Sequence, residues 1–111
     1  MNHDIAMRWV ADLRTNPPQC TGMLHDGAGY CCLGRLCVVL GVEFLRHGEL
    51  YVPESDPYES ELLPEDVKQE SGLRTRDGRS WNNSNSLVEM NDSHMTFREI
   101  ADFIEQHWQE L

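Results

Sequence analysis

Apolar positions recur with a helical period at both ends of the chain. Near the start, Ile5, Trp9 and Leu13 fall at i, i+4 and i+8, which puts them on one face of a helix over residues 4–14. Asn16-Pro17-Pro18 ends that helix, because Pro17 cannot continue it and biases the preceding residue to an extended form. At the other end Phe97, Ile100, Ala101, Ile104, Trp108 and Leu111 form one stripe, with Asp102, Glu105, Gln109 and Glu110 toward water. "TFRE" at 96–99 has the capping-box spacing: the Thr96 hydroxyl can accept from the Glu99 N–H while the Glu99 side chain reaches back.

The middle of the chain changes character several times. Residues 31–40, "CCLGRLCVVL", are apolar except for Arg35. A helix apolar nearly all round belongs in the middle of a fold, and Gly41 suits its end. "LCVVL" is also β-prone, but the length of the run favours a helix, with Gly34 permitting close packing. Residues 20–30 carry turn chemistry at Asp26-Gly27 and allow a small hairpin, with Met23 and Leu24 on one arm and Tyr30 on the other. Residues 43–52 suggest a hairpin about His47-Gly48, followed by a polar loop over 53–61.

"LPEDVKQESGL" reads as a short helix, with Pro64 near its first turn, Glu65 and Asp66 complementing the dipole, and Gly72 as its stop. An Asp77-Gly78 turn, a "WNNSNS" loop over 81–86 and one helical turn in "SLVEMND" complete the pattern. The expected fold is mainly α with a small β element (α+β), in a single domain over residues 1–111. The central apolar helix is expected to be packed by the N- and C-terminal amphipathic helices. A chain of 111 residues buries roughly 65% of its unfolded surface, so no metal or disulfide is needed to close such a core.

Charge changes the picture more than composition does. Nineteen acids against nine bases give a formal charge of −10. A surface this negative repels phosphates, which argues against direct nucleic-acid binding, and it favours a partner with a basic surface. The first residues lack the basic segment and apolar run of a secretory signal, and the longest apolar run is far short of a membrane span. Four cysteines without such a signal suggest reduced thiols in a cytoplasm, where the sequons at Asn82 and Asn91 carry no meaning.

Three clusters are candidates for chemistry. Cys20, Cys31, Cys32 and Cys37 lack the two-to-four-residue pairing of a zinc site, and neighbouring helical residues point about 100° apart. A nucleophilic thiol needs a helix N-terminus or an imidazole nearby, which Cys31, Cys32 and His25 only loosely supply, so small buried apolar residues are the simpler reading. Glu54, Asp56, Glu59, Glu61, Glu65 and Asp66 form an acidic stretch suited to a basic partner. Arg74, Arg76 and Arg79 with Trp81 resemble a patch that holds a phosphate or a base, but no Gly-rich phosphate loop accompanies them, and pairing with the chain's own acids is the simpler expectation. No catalytic residue, metal ligand or cofactor site is assigned.

Six blocks in order give the chain a further likeness. They are "RWVADLR" at 8–14, "GYCCLGRLC" at 29–37, "LPEDV" at 63–67, "SGL" at 71–73, "LVEMND" at 87–92 and "TFREIADFIE" at 96–105. With these the chain resembles small proteins encoded by phages and prophages. It departs from them in the segment before the cysteine block and at Glu70-Ser71, where a Trp often precedes "GL". The resemblance implies a phage origin and action inside a bacterial host cell, and it implies no reaction. The expected function is that of a non-enzymatic accessory factor that binds a host or phage protein, inhibiting a bacterial defence system through an acidic surface. A nucleotide-like ligand on Arg74, Arg76, Arg79 and Trp81 is the alternative, and a thiol enzyme is the third.

Overall fold

The computed structural model describes residues 1–82 and 85–111. Five α-helices and one antiparallel hairpin are present among them: α1 (His3–Arg14), α2 (Cys32–Val39), β1 (Phe44–His47), β2 (Leu50–Pro53), α3 (Glu65–Ser71), α4 (Leu87–Asp92) and α5 (Phe97–His107). The fold is mainly helical with a two-stranded sheet, an α+β arrangement. No described helix is long and apolar enough to cross a membrane.

The two terminal helices pack on each other. α1 starts where the Asn2 side chain accepts from the Ile5 N–H at 3.0 Å, and it buries Ala6, Trp9, Val10 and Leu13. α5 starts at the capping box read from "TFRE": Thr96 Oγ1 accepts from the Glu99 N–H at 3.2 Å and Glu99 Oε1 from the Thr96 N–H at 3.0 Å. It buries Phe97, Ile100, Ala101 and Ile104 against α1. Each large apolar side chain removed from water here contributes about 2–3 kcal/mol. Arg14 fastens the outer margin by donating to Asp102 at 3.0 Å and to both oxygens of Glu105 at 3.1 Å. α5 stops at His107, and the chain tightens into a 3-10 turn over Trp108–Glu110. Glu110 is therefore not free in water as the stripe implied: it is half-buried and accepts from the Ser80 hydroxyl at 3.1 Å.

α2 packs on another side of α1 and on α4. It begins one residue later than expected, because Cys31 is extended and acts as the cap, its sulfur accepting from the Gly34 N–H at 3.4 Å. Trp9 Nε1 donates to the Cys32 carbonyl at 2.8 Å, which satisfies the one polar atom of a fully buried ring. The Leu24 backbone crosses so near α2 that a Cβ on Gly34 would stand 2.0 Å from the Leu24 carbonyl oxygen, so only glycine fits.

A buried asparagine joins these parts. Asn91, at 0% exposure, accepts on Oδ1 from the Cys32 N–H (3.1 Å) and from Gln19 Nε2 (3.0 Å), and its Nδ2 donates to the Cys20 carbonyl (2.8 Å). Beside it, Asp92 accepts from the Gly22 N–H at 3.0 Å. The "ND" of "LVEMND" thus holds the start of α2 and the 19–22 loop to α4.

Residues 20–30 do not form a regular hairpin. Tyr30 makes single bridges to Gln19 and His25, and the Leu24 N–H donates instead to Ser60 at 2.7 Å. α3 follows Pro64 directly and ends at Gly72 in the left-handed region (φ 76°). The hairpin pairs His47 with Leu50, leaving Gly48-Glu49 as a two-residue turn with Gly48 at φ 65°. The loop expected over 81–86 includes residues 83 and 84, which lie outside the described residues, as does part of the Asn82 sequon.

Candidate functional site

The acidic and arginine clusters read from the sequence meet at one place. Arg76 Nε donates to the Leu63 carbonyl at 2.6 Å, and its Nη2 lies 3.2 Å from Glu59 and 3.6 Å from Asp56. Burial pushes the Glu59 carboxyl up. The N–H groups of Leu62 and Glu61 and the Arg76 charge outweigh that and hold it below the usual carboxylate range. Asp56 and Glu59 therefore fasten the 53–61 loop to the segment after α3. Arg79 pairs with Asp77 at 3.3 Å and Glu89 at 2.9 Å, which ties the 77–78 turn to α4. Arg74 and Trp81 are exposed, Trp81 at 62%, and do not join Arg76 and Arg79 in one pocket.

The remaining acids face outward. Glu54, Glu61 and Asp66 are exposed and have no ion-pair partner among the described residues. Glu65 is exposed too and accepts from Lys68 at 3.2 Å, which holds its carboxyl below the usual range. Pairing thus divides the six acids into a structural pair, Asp56 and Glu59, and an outward set.

The thiols lie inside. All four are free and buried. Burial pushes the Cys20 thiol up to about 12 and the Cys31 thiol up to about 11, and it raises Cys32 and Cys37 as well. Such thiols stay protonated near neutral pH, whereas nucleophilic attack and metal binding need the thiolate. Among the described residues no group of three His, Cys, Asp or Glu side chains converges as metal ligands would.

Two features were missed from the sequence. The first is an aromatic cluster under the hairpin. His25 stacks on Tyr30 with centroids 4.0 Å apart and meets Tyr51 and Phe44 edge-on at 4.8 and 5.3 Å. His25 Nδ1 lies 2.7 Å from the Gly29 carbonyl, which only accepts, so Nδ1 carries the hydrogen. Arg35, gripped in two bonds by Asp12 at 2.7 and 2.8 Å, lies 5.1 Å over the Tyr30 ring.

The second feature is the opposite face of the hairpin. Strand alternation puts Phe44 and Tyr51 toward the cluster and Leu45, His47, Leu50 and Val52 on the other side. There Leu45 and Leu50 are 48% and 49% exposed. His47, Leu50 and Val52 line a shallow groove of about 220 Å³ with Pro57, Ser60 and Tyr58, the last 94% exposed. The alternation in "FLRHGELYVP" carried part of this signal, since it sets Leu45 and Leu50 on the face opposite Phe44 and Tyr51.

No curated protein matches the chain, and neither does any solved structure. A family model described as a domain of unknown function (DUF8296) matches residues 1–108, nearly the whole length, and the chain belongs to that family.

Proposed function

We propose that this chain is a non-enzymatic accessory protein of phage origin. In this reading it binds a basic protein of the bacterial cell through its acidic surface and so blocks a defence machine. The observation that carries the binding reading is the outward set of carboxylates, Glu54, Glu61 and Asp66, without an ion-pair partner among the described residues of a chain of net charge −10. Such a field speeds encounter with a basic surface and rejects acidic ones. The phage setting rests on the ordered sequence blocks. The core's contribution is rigidity: α2 packs on α1 and α4, with its buried thiols as packing atoms.

The test is a native pull-down from bacterial lysate, read by mass spectrometry, with the wild-type chain and a Glu54→Lys, Glu61→Lys, Asp66→Lys variant side by side. A partner with a basic surface, held by the wild type and lost by the variant, is expected. A partner retained equally by both overturns the acidic-face reading.

A further inference from the structure

The outer face of the hairpin and the loop beside it carry three of the four large apolar side chains that the described residues leave exposed: Leu45 and Leu50 on the strands and Tyr58 on the loop. Scattered exposed apolar residues are ordinary, but a grouped set beside a groove marks a contact site. Here the set flanks the 220 Å³ groove between the hairpin and the 57–60 loop. Glu49 at the hairpin tip and Glu43 and Glu54 at its base are all exposed and frame it with negative charge.

The backbone adds a second element. The Glu54 N–H donates to the Glu43 carbonyl at 2.8 Å, so bonded pairs alternate along the ladder at 43/54, 45/52 and 47/50. The N–H and C=O groups of Phe44 and Arg46 then point away from β2, and among the described residues these two make no backbone hydrogen bond outside the hairpin. The outer edge of β2 is blunted by Pro53, which has no N–H to offer. The Pro53 carbonyl is also taken, by the Asp56 N–H at 3.0 Å, so β2 offers only Tyr51 on its outer edge where β1 offers two residues.

We infer that this hairpin is the docking point for an extended basic segment of the partner protein. The segment pairs along the open edge of β1 at Phe44 and Arg46. It sets an apolar side chain against Leu45, Leu50 and Tyr58, and its Lys or Arg side chains meet Glu43, Glu49 and Glu54. A second copy of this chain does not fit, because it would bring the same acids face to face on two bodies of charge −10 each. The inference deepens the proposed function and rests on its premise that the partner is basic.

The probes are two synthetic peptides of equal charge, Lys-Val-Lys-Leu-Lys-Val-Lys and Lys-Ser-Lys-Ser-Lys-Ser-Lys, titrated into the isotopically labelled full chain and followed by amide NMR shifts. The Val/Leu peptide is expected to bind at least about tenfold more tightly. The Phe44 and Arg46 amides should shift most, and Leu50→Ser with Tyr58→Ser, both at exposed positions, should abolish that advantage. Equal affinity for both peptides overturns the hairpin site and leaves the acidic-surface reading standing. Shifts centred on Glu65 and Asp66 do the same, and so does self-association of the free chain through Leu45 and Leu50. Loss of both readings requires, in addition, failure of the lysate experiment.

Discussion

Replacing Gly34 by alanine puts the close crossing of α2 and the Leu24 segment to a direct test. An added Cβ would meet the Leu24 carbonyl oxygen at 2.0 Å, and ordinary contact begins near 3.4 Å, so the backbones must part by about 1.4 Å (3.4 − 2.0). A side-chain rotation cannot relieve this, because the obstructing atom is backbone. The Leu24 backbone is also pinned on both sides, by its N–H to Ser60 at 2.7 Å and by its carbonyl to the Cys31 N–H at 3.0 Å. Loosening two such bonds costs about 1 kcal/mol each. Repacking the fully buried Leu24 costs about 1–3 kcal/mol more. Alanine's better helix propensity returns about 1 kcal/mol. The net expectation is a loss of about 2–4 kcal/mol, seen as a fall in Tm of roughly 10–20 °C for a domain of this size. The urea midpoint should fall with an unchanged slope. Gly41→Ala is the control: its φ is +81° but nothing lies within 4 Å, so only about 1 kcal/mol of backbone strain is expected. A Gly34→Ala protein as stable as wild type would mean that the Leu24 carbonyl does not confine this position.

Other expectations follow from the same contacts. Asn91→Leu leaves the buried Cys32 N–H and Cys20 carbonyl without their partner and should destabilise the protein by about 3–5 kcal/mol in urea unfolding. The four thiols should resist alkylation in the native protein and react on unfolding; rapid native labelling of Cys31 or Cys32 would favour a reactive site. Because burial raises these thiol pKa values in the fold, the unfolded chain loses those protons first, and stability should decline as pH rises from about 9 toward 12. A thermal-shift panel of nucleotides should be flat, since Arg76 and Arg79 already hold carboxylates. A ligand at 100 times its Kd would add about 2.7 kcal/mol and would favour the nucleotide alternative.

Where local chemistry and burial agree, the sequence is a good guide. α1, α3 and α5 carry periodic apolar faces or paired boundary signals; α5 starts at Thr96 and α3 lies between Pro64 and Gly72 as read, while the Asn2 cap of α1 and the early stop of α5 at His107 were not legible. The hairpin was legible because Gly48 sits between two β-prone runs. The 20–30 segment was not, because its hydrogen bonds go to distant partners, with Leu24 bound to Ser60. Such pairing leaves no periodic trace. The acidic stretch was legible as charge, but its division was not. What sets Asp56 and Glu59 apart from Glu54 and Glu61 is that the fold brings Arg76 and nearby backbone N–H groups to them. Likewise nothing in the helical turn "LVEMND" marks Asn91 as buried until the start of α2 is folded against it.

The central claim is electrostatic binding of a basic protein. It is tested most directly by the affinity of the recovered partner as a function of salt. Binding should weaken on the order of tenfold or more between about 50 and 300 mM salt, with the Glu54→Lys, Glu61→Lys, Asp66→Lys variant weak throughout. An affinity that is the same across that range, and the same for both proteins, would contradict it.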